Sequence, residues 1–98
     1  MRPLDALAAV EAELQEERAH ALGRIARTLE THLRELQRLR AQFARAPCDP
    51  LRASYRVVRE QALRWHWYLC VQREALGLRN HDALEAHYRI PPREIDDR

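Results

Sequence analysis

Two side chains four residues apart, His66 and Cys70, are the first pair in this chain that could do chemistry. At i and i+4 they share one face of a helix. That spacing can hold two ligands of a metal ion or set a thiol beside a base. They lie in the stretch RWHWYLCVQREALGLRNH, residues 64–81, which also holds both tryptophans. A zinc site needs further donors. His32 falls on the apolar face of the preceding helix and stands level with His66 if the two helices pair; His81 and His87 follow downstream. No CxxC or HExxH motif accompanies them. For nucleophilic catalysis the pair lacks an identifiable orienting group and an oxyanion hole. The reading adopted is a small thiol beside a hydrogen-bonded histidine at the flank of a core. No metal, cofactor or catalytic residue is expected.

The remaining polar candidates fall into two groups. Arg24, Arg27, Arg34, Arg38 and Arg45 lie within about 80° of one another on a helical wheel, opposite the apolar stripe. Such a ridge could track phosphates or dock on an acidic partner. The outer face of any core-facing helix is polar, however, and with a net charge of only +2 a solvated surface is the preferred reading. Arg52, Arg56 and Arg59 make a shorter row further on. Glu11 and Arg18 fall close to the apolar stripe, where unpaired burial would be costly. They could meet their counterparts across a twofold axis, or line a polar site together with Arg73, Glu74 and Arg79. The sequence leaves these two alternatives open.

The elements that must position these groups are helical. Leu7, Val10, Leu14, Ala21, Ile25, Leu29, Leu36, Leu39 and Phe43 keep a three-four spacing. They predict one helix from about Leu4 to about Ala44, roughly 60 Å long. The break is Ala46-Pro47-Cys48-Asp49-Pro50, with Asp49 as N-cap and Pro50 at the first helical position. A second helix then runs to about Leu76 on a face of Leu51, Tyr55, Val58, Ala62, Trp65, Leu69 and Leu76, and Gly77 stops it. Asn80 is the expected N-cap of a short third helix through about Tyr88, which Ile90-Pro91-Pro92 ends. Residues 1–92 form a single domain in this reading, and 93–98 a disordered tail.

Trp67, Tyr68 and Val71 do not lie on the stripe that faces the first helix. With Val57 they form a second apolar side, and a helix apolar on two sides needs two partners. The second helix is also shorter than the first, so about fifteen N-terminal residues overhang. The expectation is an all-α long helical hairpin plus a short third helix, paired as a four-helix-bundle-like homodimer. The interface would use Trp67, Tyr68, Val71, Val57, Leu7 and Leu14.

Three resemblances add to this. Ala21-Leu22-Gly23-Arg24 together with residues 71–79 (VQREALGLR) and the closing Tyr88-Arg89-Ile90-Pro91 resembles a family of small bacterial helical proteins, a domain of unknown function. That resemblance spans most of the chain and implies a compact helical fold without implying an activity. A long helix, the turn Asp49-Pro50-Leu51-Arg52 and two further helices are similar to the helical chorismate mutases. That family clamps a dicarboxylate with basic residues in a dimeric helical site. This chain contains no lysine to match the usual one, which puts the activity in doubt. Residues 83–95 (ALEAHYRIPPREI) look like a helix-turn-helix core. The second helix would be acidic at Glu94, Asp96 and Asp97, ill suited to a major groove, so the segment reads as a docking turn.

Composition sets the outer limits. Ninety-eight residues fit one small domain. At 46% hydrophobic and 33% charged the chain can bury a core and stay soluble. All 17 basic residues are arginine, alongside abundant Ala and Leu, a pattern attributed here to a GC-rich genome. The longest uncharged apolar run near the aromatics, residues 65–72, is too short to span a bilayer. Acids appear at once near the N-terminus, so no signal segment is expected. Two unpaired cysteines fit a reducing cytoplasm. The function expected is a cytoplasmic, non-enzymatic interaction or regulatory protein, partnered by itself and by another protein and not by a membrane. Nucleic-acid binding through the arginine ridge is the alternative, and a small chorismate-mutase-like enzyme a third.

Overall fold

The computed structural model describes residues 2–95. It is all-α, with α1 over Pro3–Arg45, α2 over Asp49–Ala75 and α3 over Asp82–His87. α1 has 43 residues, about 65 Å at 1.5 Å per residue. That matches the longest dimension of the molecule, 67 × 20 × 15 Å, so one uninterrupted helix sets its length. α2 has 27 residues, about 40 Å, and packs antiparallel on α1 as a hairpin.

The seam follows the sequence pattern. Leu29, Leu36, Leu39 and Phe43 of α1 and Tyr55, Ala62 and Leu69 of α2 are buried, and Ile25, Leu33, Leu51, Val58 and Trp65 pack partly buried around them. At the closed end the Arg52 guanidinium sits 4.9 Å from the centroid of the Phe43 ring, a cation–π contact next to the turn. At the open end α2 runs out first. Residues 7–20 of α1 are all exposed, among them the apolar Leu7, Val10 and Leu14.

The helix ends differ in detail from expectation. α2 begins at Asp49 with Cys48 as its N-cap residue, and Asp49 makes no side-chain cap; its carboxylate is exposed, 4.0 Å from Arg52. The α2 C-terminus closes as the glycine predicts. Gly77 has φ +84°, its N–H donates to the Glu74 carbonyl, and the Leu78 N–H reaches back to Arg73. These are the two bonds of a Schellman motif. α3 begins two residues after Asn80. His81 is its N-cap residue, and Asn80 Oδ1 accepts the Asp82 N–H at 2.9 Å.

After His87 no second helix follows within the described residues. The chain instead runs antiparallel to α2, along the groove between α1 and α2. Tyr88 donates to Glu30 at 2.7 Å, Arg59 Nε donates to the Pro91 carbonyl at 2.8 Å, and the Tyr55 hydroxyl donates to the Pro92 carbonyl. Glu94 pairs with Arg56 at 2.8 Å, and Ile95 is 6% exposed. The packed segment therefore continues past the boundary at Pro92 that the sequence suggested. The Ile95 side chain provides the reason, because it has a core to enter. The rest of the expected tail, 96–98, lies outside the described residues.

Candidate functional site

The densest polar constellation is at the joint between α2 and α3. His66, Cys70 and Glu74 are spaced four apart on α2, and His81 and Glu85 four apart on α3. Because α3 returns antiparallel, the two rows meet in reverse order. His66 Nε2 lies 3.2 Å from Glu85 Oε1, and His81 Nε2 lies 3.0 Å from Glu74 Oε1. Cys70 sits between these rungs, with Sγ 3.9 Å from His66 Nδ1. Arg73 completes the joint. Its Nε donates to His81 Nδ1 at 3.3 Å and its Nη2 to the Asn80 carbonyl at 2.9 Å. An accepting Nδ1 leaves Nε2 of His81 as the N–H that Glu74 receives.

Burial, then the nearby carboxylates of Glu85 and Glu74, push the Cys70 thiol above its ordinary value, with Arg73 opposing them. A thiol held protonated is a poor nucleophile. Glu85 supplies the orienting group for His66 that the sequence did not reveal, but the surroundings disfavour a thiolate on the free protein. His32 is half-buried on α1 and does not belong to the His66–Cys70 group; the third potential donor is Glu85 of α3.

The five residues Glu11, Arg18, Arg73, Glu74 and Arg79 do not form one site. Arg73 and Glu74 are engaged with His81, Glu11 and Arg79 are exposed, and Arg18 borders an open hollow with Leu14, Glu17, Ala21, Arg24 and Gln72. Among the described residues no charged side chain is buried. The ridge residues Arg24, Arg27, Arg34, Arg38 and Arg45 are all exposed along α1. Arg38 is taken up by Glu35, at 2.5 Å, and by Gln42 at 3.1 Å, and its guanidinium holds the Glu35 carboxyl below its ordinary value.

Sequence reasoning missed a hollow on the side of the groove crossed by the C-terminal run. Leu33, Gln37, Arg40, Arg59, His87 and Arg89 border it, bringing one arginine from each of α1, α2 and the segment after α3. Only the path of residues 88–92 brings these three together, and no local spacing encodes it.

The apolar surface is the other candidate. Trp67 is 60% exposed, Val57 is 58%, and Tyr68 and Val71 are exposed with them. Tyr68 meets Trp65 edge-on and Trp67 at a tilt, at centroid distances of 5.4 and 5.3 Å, so aromatic contact runs from the hairpin seam to solvent. Leu7 and Leu14 of the expected interface are exposed on the overhang. No helix among the described residues is long and apolar enough to cross a membrane. Comparison with family models, curated proteins and solved structures finds no match to this chain.

Proposed function

We propose that the chain is a non-enzymatic helical interaction protein that works as a homodimer. The observation that carries this is the pair of unpartnered apolar faces: Leu7, Val10 and Leu14 on the overhang of α1, and Val57, Trp67, Tyr68 and Val71 on the outer side of α2. Contiguous exposed apolar surface rimmed by charge marks an interaction face, and exposed tryptophan and tyrosine are the side chains that anchor one. A second copy is the occupant that fits. A twofold contact seats the overhang of each copy on the outer side of the other's α2, so a single interface covers both faces twice.

Charge supports the same pairing. Residues 2–20 carry five acids against two arginines, whereas α2 carries five arginines against three acids. An acidic overhang on a basic helix gains in encounter rate and in register. The exposed remainder of the bundle, including the arginine ridge, is then available to a protein partner in the cytoplasm.

Sedimentation equilibrium on untagged protein tests the reading. The wild type is expected to be a dimer, and Leu14→Arg with Trp67→Arg a helical monomer. A wild-type monomer at tens of micromolar would refute it. Duplex DNA titrated at two salt concentrations separates the alternative: binding through the arginine ridge would weaken steeply as salt rises.

A further inference from the structure

We infer that His66, Cys70 and Glu85 form a binding site for a divalent transition-metal ion of the zinc class, which clamps α3 to α2. One donor atom from each residue lies within 4.8 Å of the others. A tetrahedral zinc ion with bonds of about 2.3 Å to sulfur and about 2.0–2.2 Å to nitrogen and oxygen spaces its donors roughly 3.3–3.6 Å apart. Cys70 Sγ and His66 Nδ1, at 3.9 Å, are a few tenths of an ångström from that spacing. Glu85 Oε1 lies 3.2 Å from Nε2, the other nitrogen of the same ring, so completing the set requires this 63% exposed side chain to swing round to the Nδ1 side.

The donor chemistry fits the cation. Imidazole, thiolate and carboxylate are all zinc ligands, and a thiolate with a carboxylate neutralises a divalent charge. Glu74 and Glu85, in the rungs on either side of Cys70, put negative charge around it. That charge favours a cation, which takes the place of the thiol proton. The balance is one metal ion bound and one proton released from Cys70 to solvent. His66 and Glu85 border a hollow with Arg59, Leu63, Ala86 and Arg89, which gives the ion a way in and leaves room for water.

The site also gives α3 something it lacks. α3 has six residues, too few to be stable alone. Leu84 is its one buried side chain. Two ligands on α2 and one on α3 convert that weak docking into a coordinated joint.

The test uses the full chain without an affinity tag. Zinc affinity is measured by competition with a chromophoric chelator, and cobalt(II) is added to the metal-free protein for its spectrum. The expected result is one ion per chain, a thiolate-to-cobalt charge-transfer band, affinity that rises with pH, and loss of binding in Cys70→Ser and His66→Ala but not in Cys48→Ser. Because the variants could lose structure for other reasons, a second readout uses wild type alone. Zinc should protect Cys70, and not Cys48, from alkylation, scored peptide by peptide by mass spectrometry. No saturable binding, a spectrum without the thiolate band, loss of binding in Cys48→Ser, or equal alkylation of Cys70 with and without zinc would each overturn the site.

Discussion

Replacing Leu36 by alanine probes the hairpin seam where it is tightest. Leu36 is 0% exposed and lies in one cluster with Leu29, Leu39, Phe43, Tyr55 and Ala62. Removing a buried leucine side chain forfeits its transfer free energy and leaves a cavity, and the measured range is about 2–5 kcal/mol. Here the site has little freedom to collapse. Leu36 stands well inside a continuous helix, and Ala62 on the facing helix is already small and fully buried. The expected cost is therefore about 3–4 kcal/mol, about a fifth or more of the stability of a domain this size. The assay is urea unfolding followed by circular dichroism, with the m-value expected to stay unchanged. At the midpoint temperature the same loss corresponds to a fall of roughly 12–32 °C. Leu7→Ala is the control, since Leu7 is 55% exposed within its own chain. At concentrations too low for dimer it should cost less than about 0.5 kcal/mol. A Leu36→Ala loss below about 1 kcal/mol would mean that α1 and α2 do not close at this level.

Other expectations follow from single observations. Gly77→Ala should cost about 1–2 kcal/mol, all of it from the backbone, because φ is +84° and a Cβ there meets nothing within 4 Å; equal stability in a melt of the two proteins would contradict the Schellman closure. Deleting residues 93–98 should cost about 1.5–3 kcal/mol through the loss of buried Ile95, and a truncated protein as stable as the full chain would show that this run is not docked. Alkaline pH should destabilise the fold. Tyr55, chiefly by burial, and Tyr88, by burial and then its bond to Glu30, are both raised from 10.0, and Cys70 is raised from 9.0. Groups raised in the folded state stabilise it below their unfolded values and lose that contribution as pH climbs through the folded ones. Stability should decline from about pH 9 upward, less steeply in a Tyr55→Phe, Tyr88→Phe double variant when each is referred to its own value at pH 8; parallel profiles would refute the assignment.

What was legible in the sequence was periodic or conformational. The three-four spacing from Leu29 to Phe43 and from Leu51 to Leu69 encodes two facing stripes, and both lie in the seam. Pro50 and Gly77 mark their helix ends because each restricts or frees φ in a way local rules capture. Capping was less legible. Asp49 and Asn80 are both good caps by type, and each stands one residue from the N-cap position, since helix ends shift by a residue or two without changing the pattern that predicts them. What could not be read was contact set by tertiary path. Glu85 reaches His66 across nineteen positions only because α3 turns back along α2, and His32, level with His66 on a hairpin drawn from spacing alone, is not in that group. Ile95 and Arg89 take their places for the same reason, through a non-helical run with no period to detect. The exposed second face of α2 was legible, because Trp67, Tyr68 and Val71 fall off the seam on any helical wheel.

The most direct test of the homodimer is the solution mass of the untagged wild-type chain beside the Leu14→Arg, Trp67→Arg variant, by sedimentation equilibrium at matched helicity. A dimer of the 11.6 kDa chain that the double variant reduces to a folded monomer is the predicted result. A wild-type monomer, or a dimer that both substitutions leave intact, would contradict it.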